Sequence, residues 1–179
     1  PLHLIEEREP LVAELRRRGI DFLAPSDAAG GEISDGPDLL ASLASHRDPR
    51  LRQALIALFL LDPELGALVP ELRPALVPAA AQDLVAYSLA AVYLEEMWRV
   101  LLDRYVPDRG RLPDHFSDEL GLPSPSVLHG KAGLHALADL HTSWSGRHFN
   151  FLSEYEGTAA LLLESLRRHR GGRTDAAGR

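Results

Sequence analysis

The sequence predicts an all-α protein: a single-domain helical bundle of about six helices with one long central helix. Three observations carry that reading. Apolar residues recur at spacings of three and four along most of the chain. Asp-Pro and Ser-Pro pairs head the periodic segments, where a proline without its N–H is tolerated. Only "IDFLA", residues 20–24, reads as a short N-terminal strand, and the chain offers it no obvious partner. The domain is expected over residues 1–170, with a disordered arginine- and glycine-rich tail at 171–179.

The first helix follows from "PLVAELRRRG". Pro10 sits in the opening turn, three arginines complement the dipole of the last turn, and Gly19 stops it. After the candidate strand, "PSDAAGGEISDGP" at 25–37 is a polar connection whose three acids lack the alternation calcium requires. "DPRLRQALIALFLL" has Asp48 as N-cap, Pro49 in the first turn, and an apolar stripe of Leu51, Leu55, Leu58 and Phe59. Asp62 and Pro63 repeat the start signal in "DPELGALV". Over about one unit this pair resembles the helical-hairpin repeats of the HEAT type, but a solenoid needs about three units or more, and no true repeat is present.

Pro70, Pro74 and Pro78 make "ALVPELRPALVPA" a kinked connector. A long helix is expected over 79–105, on the order of 40 Å at 1.5 Å per residue. Its first half, "LVAYSLAAVYL", is apolar all round and should be enclosed. In its second half Glu95, Arg99 and Asp103 predict a solvated charge ladder, with Met97, Trp98 and Leu101 facing the core. One short helix is expected at 116–120. Ser124 and Pro125 predict the cap and first residue of the next helix. Asn150 predicts the cap of the last, which runs to about 169 with Leu152, Tyr155, Ala159, Leu162, Leu163 and Leu166 on its buried side.

Composition excludes several function classes. There is no cysteine, so disulfides, thiolate zinc sites and cysteine nucleophiles are ruled out. The longest nearly unbroken apolar run, residues 84–94, falls short of the roughly 18 residues of a membrane span. The formal charge is −7. The last thirteen residues carry five arginines against one aspartate, net +4, which leaves −11 on the body. That body repels phosphate backbones, which argues against nucleic acid as a partner. Lys131 is the only lysine, an arginine bias that suits a bacterial protein of GC-rich or heat-adapted origin. The opening "PLHLIEEREP" is too short and too acidic for a signal peptide, so a cytoplasmic location is expected.

The stretch "VLHGKAGLHALADLHTSWSGRHFNF" holds His129, His135, His141 and His148, half of the eight histidines. The first three are six residues apart, so on one helix they point about 120° away from each other and cannot share a metal. Only His135 and Asp139 have the i, i+4 spacing of a cooperating pair. Neither Glu-x-x-His nor His-Glu-x-x-His occurs, and no metal or cofactor is expected. "HGKAG" fails as a phosphate loop because Pro125 and Ala132 stand where glycine and Ser/Thr are needed. "TSWSG" has Thr142 where a nucleophile elbow needs glycine. Arg109 and His115 have a spacing that resembles the Arg-His pair of HEPN-type ribonucleases, which carry it on a helix. Gly110 and Pro113 predict a loop here, and no residue is carried over.

Two functional expectations follow. The first is a non-catalytic helical interaction protein that self-associates or binds a protein partner. The second is a metal- or small-ligand-binding helical enzyme with a polar site near His135, Asp139 and His148. The candidate ligand-binding residues are His135, Asp139, His141, Arg147, His148 and Asn150.

Overall fold

Seven α-helices run through the computed structural model, which describes residues 2–23 and 35–176, with side chains to residue 170. They are α1 (Arg8–Arg17), α2 (Gly36–Ser45), α3 (Pro49–Leu61), α4 (Val69–Leu72), α5 (Pro78–Tyr105), α6 (Lys131–Ser145) and α7 (Phe151–Ala176). Helices α3 and α5 form the most extensive pairing, and α2, α6 and α7 pack against α5. From Ala54 to Leu60 every residue of α3 is buried, as is every residue of α5 from Leu84 to Glu95. Both helices are apolar all round in these spans, so neighbours must cover every face. No helix among the described residues is long and apolar enough to cross a membrane.

Local chemistry sets the helix ends. The Asp48 side chain accepts the Arg50 N–H at 3.0 Å, as an N-cap should. Helix α1 closes in a Schellman turn: the Ile20 N–H donates to the Leu15 carbonyl and the Gly19 N–H to that of Arg16. Gly19 takes the left-handed φ of +91° that this turn requires. The prolines of residues 67–78 give the expected kinked connector, a succession of 3₁₀ turns around α4. Accordingly "DPELGALV" forms a 3₁₀ turn at Pro63–Leu68 rather than the second arm of a hairpin repeat.

Several expectations are corrected. No strand occurs among the described residues. Residues 20–23 instead continue the α1 cap, with Ile20 and Leu23 buried in the core and Asp21 turned to Ser165. Ala24 and most of the 25–37 connection lie outside the described residues. The sequence reading left α2 unassigned, yet Leu39, Leu40 and Leu43 drive it into the core. Residues 116–120 form a single hydrogen-bonded turn over Asp114 rather than a helix. Glu95 is not part of a solvated ladder. It is 4% exposed, pairs with the Arg109 guanidinium at 2.8 Å, and accepts the Leu112 N–H. Trp98 does not face the core: the backbone leaves helical geometry there (φ −111°, ψ 15°) and the indole is exposed. Helix α7 runs to Ala176, and the end of the segment expected as a tail, residues 177–179, lies outside the described residues.

A further correction concerns α6, which starts at Lys131 instead of Pro125. Leu128, His129 and Gly130 are all left-handed, with φ of 49°, 52° and 82°, so no right-handed helix passes through them. They bring α6 hard against Tyr93 of α5. A Cβ on Gly130 would strike the Tyr93 carbonyl oxygen, and one on Gly133 would strike the Tyr93 ring. That ring is fully buried and its hydroxyl donates to the Pro123 carbonyl at 2.8 Å, so it has nowhere to retreat.

A matched pair of substitutions tests this close approach. Gly133→Ala should lower stability by about 1–3 kcal/mol through overpacking. Gly157→Ala, in α7 where an added Cβ meets nothing within 4 Å, should raise it by about 0.5–1 kcal/mol. Urea unfolding of both variants checks the opposite signs.

Candidate ligand-binding site

The histidine stretch divides as the helical geometry requires. His135 and Asp139 lie on the exposed face of α6, and His129 and His148 lie in exposed turns. Asn150 is the cap of α7, its side chain accepting the Ser153 N–H at 3.0 Å. His141 alone is buried, and Arg147 is the one other predicted site residue that joins it at a cavity. The structure therefore brings His141 and Arg147 together, and leaves His135, Asp139 and His148 apart.

Sequence reasoning did not find what surrounds His141. Its Nε2 lies 2.9 Å from Asp83 Oδ1 on α5, and its Nδ1 lies 2.6 Å from the Tyr155 hydroxyl on α7. A carboxylate only accepts, so Nε2 carries a hydrogen, and in the neutral ring Nδ1 accepts from Tyr155. The other Asp83 oxygen pairs with Arg52 Nε of α3 at 2.9 Å, close enough for an ion pair although not aligned as a hydrogen bond. Arg52 Nη1 donates to the carbonyls of His46 at 2.6 Å and Arg47 at 3.2 Å. The chain Arg52–Asp83–His141–Tyr155 thus ties four helices together. Phe151 stacks on the imidazole with centroids 3.7 Å apart, and Tyr87 meets it edge-on. No spacing in the sequence signals these partners, because Asp83 and Tyr155 come from two other helices and are 58 and 14 residues from His141.

Beside this chain the Tyr87 hydroxyl donates to Glu154 Oε1 at 2.8 Å. Burial pushes the Glu154 carboxyl above its ordinary range. Hydrogen bonds from Tyr87 and Gln53 and the charge of Arg52 oppose that shift, and the charge of Asp83 adds to it. Burial likewise pushes the Tyr87 and Tyr155 phenols upward, so both stay protonated.

Arg52, Asp83, Tyr87, His141 and Glu154 line one side of a cavity of about 520 Å³. The turn between α2 and α3, the first turns of α5 and α7, and the last turn of α6 enclose it. Trp144, Phe149 and Phe151 supply flat apolar walls, while Arg47, Arg52 and Arg147 supply positive charge. The volume and the mixture of aromatic walls with few polar groups suit a small organic molecule. Both His141 ring nitrogens are engaged within the protein, so the imidazole holds the wall in place rather than offering a free base.

Other groupings do not make a site. No set of three or more histidines and carboxylates able to hold a metal occurs among the described residues. Ser165, His169 and Asp21 have the composition of a hydrolytic triad. Ser165, however, is fully buried and donates to Asp21 at 2.6 Å, which leaves no exposed nucleophile. Arg109 and His115 are also separated in role, the first in its buried pair with Glu95 and the second exposed.

Fold and site together define a helical bundle with a polar–aromatic cavity where several of its helices meet. Comparison with family models, with curated proteins and with solved structures gives no significant match.

Two predictions follow from the site. Asp83→Asn should destabilise the fold by about 1–3 kcal/mol, because the charge facing Arg52 is lost while the shape is kept; urea unfolding measures it. The folded chain holds the Glu154 proton to higher pH than the unfolded chain does. The resulting stabilisation is complete below the ordinary carboxyl range and is lost as pH rises through the raised pKa. Glu154→Gln keeps an acceptor for Tyr87 and removes that loss. Its melting temperature relative to wild type should be higher at neutral pH than at acid pH.

Proposed function

We propose that this protein binds a small organic molecule in the cavity beside His141. The observation that carries the reading is convergence: residues from α3, α5, α6 and α7 meet at one half-open cavity, and a chain of ion-pair and hydrogen-bond contacts fixes its wall. A buried polar network of this kind carries a large desolvation cost when incomplete, so it also holds the wall in one geometry. A site held rigidly before a ligand arrives loses less entropy on binding.

Trp98 and Trp144 are the only tryptophans, so Trp98→Phe leaves the cavity residue as sole reporter. Titrating that variant with a panel of single-ring compounds should give at least one saturable change in Trp144 fluorescence. Ala79→Phe, at an exposed position on the cavity rim, should abolish the change without unfolding the chain. A panel with no saturable response would remove the reading.

A second reading is the helical interaction protein that self-associates or binds a protein partner. Its support is the exposure of Val100 (81%) and Leu128 (71%), two large apolar side chains without cover in the described chain. Light scattering of the purified protein tests it: a dimer or larger species that Val100→Glu converts to monomer supports self-association. A wild-type monomer removes self-association, and capture of no partner at Leu128 or Val100 by photo-crosslinking in the source cell removes the rest.

A further inference from the structure

Resting on the reading of the cavity as a ligand site, we propose that its ligand is a small organic anion, a flat ring carrying a carboxylate or phosphate. The anion would meet Arg52 and Arg147, and the ring would lie against Trp144 and Phe149.

The charge distribution supports the sign. The whole chain carries −7, yet three arginines line this cavity against the two carboxylates of Asp83 and Glu154. Neither carboxylate is a free negative charge. Asp83 is matched by Arg52 and receives His141 Nε2–H. Glu154 receives the Tyr87 hydroxyl, and its burial favours the neutral acid. The arginines of the lining therefore outnumber its free negative charges, within a protein of acidic overall charge.

Arg52 is the preorganised part. Its Nε faces Asp83 and its Nη1 is held by two carbonyls, which fixes the plane of the guanidinium. Its Nη2 has no acceptor among the described residues, and the residue lines the cavity. Arg147 differs: its side chain has no hydrogen-bond or ion-pair partner among the described residues, and it stands in the turn between α6 and α7. One guanidinium is held by the protein and one has no protein partner among the described residues, and the two together can meet a planar or tetrahedral oxyanion. The apolar share follows from Trp144 and Phe149, because a bare inorganic anion would leave those walls uncovered.

The test compares benzoate, phenyl phosphate and the neutral benzamide, titrated against the Trp98→Phe protein at low salt with Trp144 fluorescence as readout. At least one anion should bind about tenfold or more tightly than benzamide, with which anion wins telling carboxylate from phosphate. Arg147→Gln, a change at an exposed turn, should erase most of that advantage while leaving benzamide affinity unchanged. Added salt should also weaken the anion and spare benzamide. Benzamide binding as tightly as both anions would overturn the anion assignment and leave the cavity reading intact. An anion advantage that survives Arg147→Gln and Arg47→Gln together would overturn the role given to Arg147. Binding of none of the three would overturn the anion assignment as drawn, and failure of the wider panel as well would take the cavity reading with it.

Discussion

A buried imidazole between an acid and a phenol sets the terms for one end of this bundle. His141 has no contact with bulk water, so each of its ring nitrogens must find a partner within the protein or lose the full desolvation cost. Asp83 and Tyr155 meet that demand from two different helices, and Arg52 brings in a third by pairing with Asp83. Apolar packing tolerates small slides of one helix past another. This chain of directed contacts does not, because a shift of about an ångström breaks a hydrogen bond outright. The helix ends around the cavity are held for that reason, and the cavity keeps its shape.

The opposite half of the molecule is fixed by different means. Tyr93 stands upright from α5, and two glycines let α6 approach its ring and its backbone. Glu95, two residues further on, clasps Arg109 and the Leu112 N–H, so the irregular chain after α5 is folded back on the helix. Arg109 also reaches the Leu60 carbonyl at the end of α3. Breaking such a buried pair on one side alone strands a charge, which makes it a strong constraint on where the loop lies even where its net stabilisation is small. Between these two anchors the apolar spans of α3 and α5 are wrapped on all sides.

How much of this was legible in the sequence varied with the range of the interaction concerned. The helix caps at Asp48, Gly19 and Asn150 depend on contacts within about five residues, and each was readable. The enclosure of the first half of α5 was readable because an all-round apolar helix has no face for water. Helix α2 was missed because its first residues, Gly36 and Pro37, read as the end of the glycine-rich connection. Glu95 was misplaced because its partners, Arg109 and Leu112, lie beyond the helix, and the i, i+4 spacing with Arg99 suggested a local ladder. Among the site residues, helical rotation correctly separated His135 from His141, but could not say which of them would face inward.

By itself, then, the sequence determined the class of fold, most helix positions and the sign of the overall charge, because periodicity, caps and composition act locally or additively. The tertiary structure decided that His141 is the inward histidine, that its partners are Asp83 and Tyr155, and that three arginines gather on one cavity of an acidic chain. Those facts depend on which helix faces meet, and a residue's spacing along the chain carries no record of a partner brought to it by the packing of another helix.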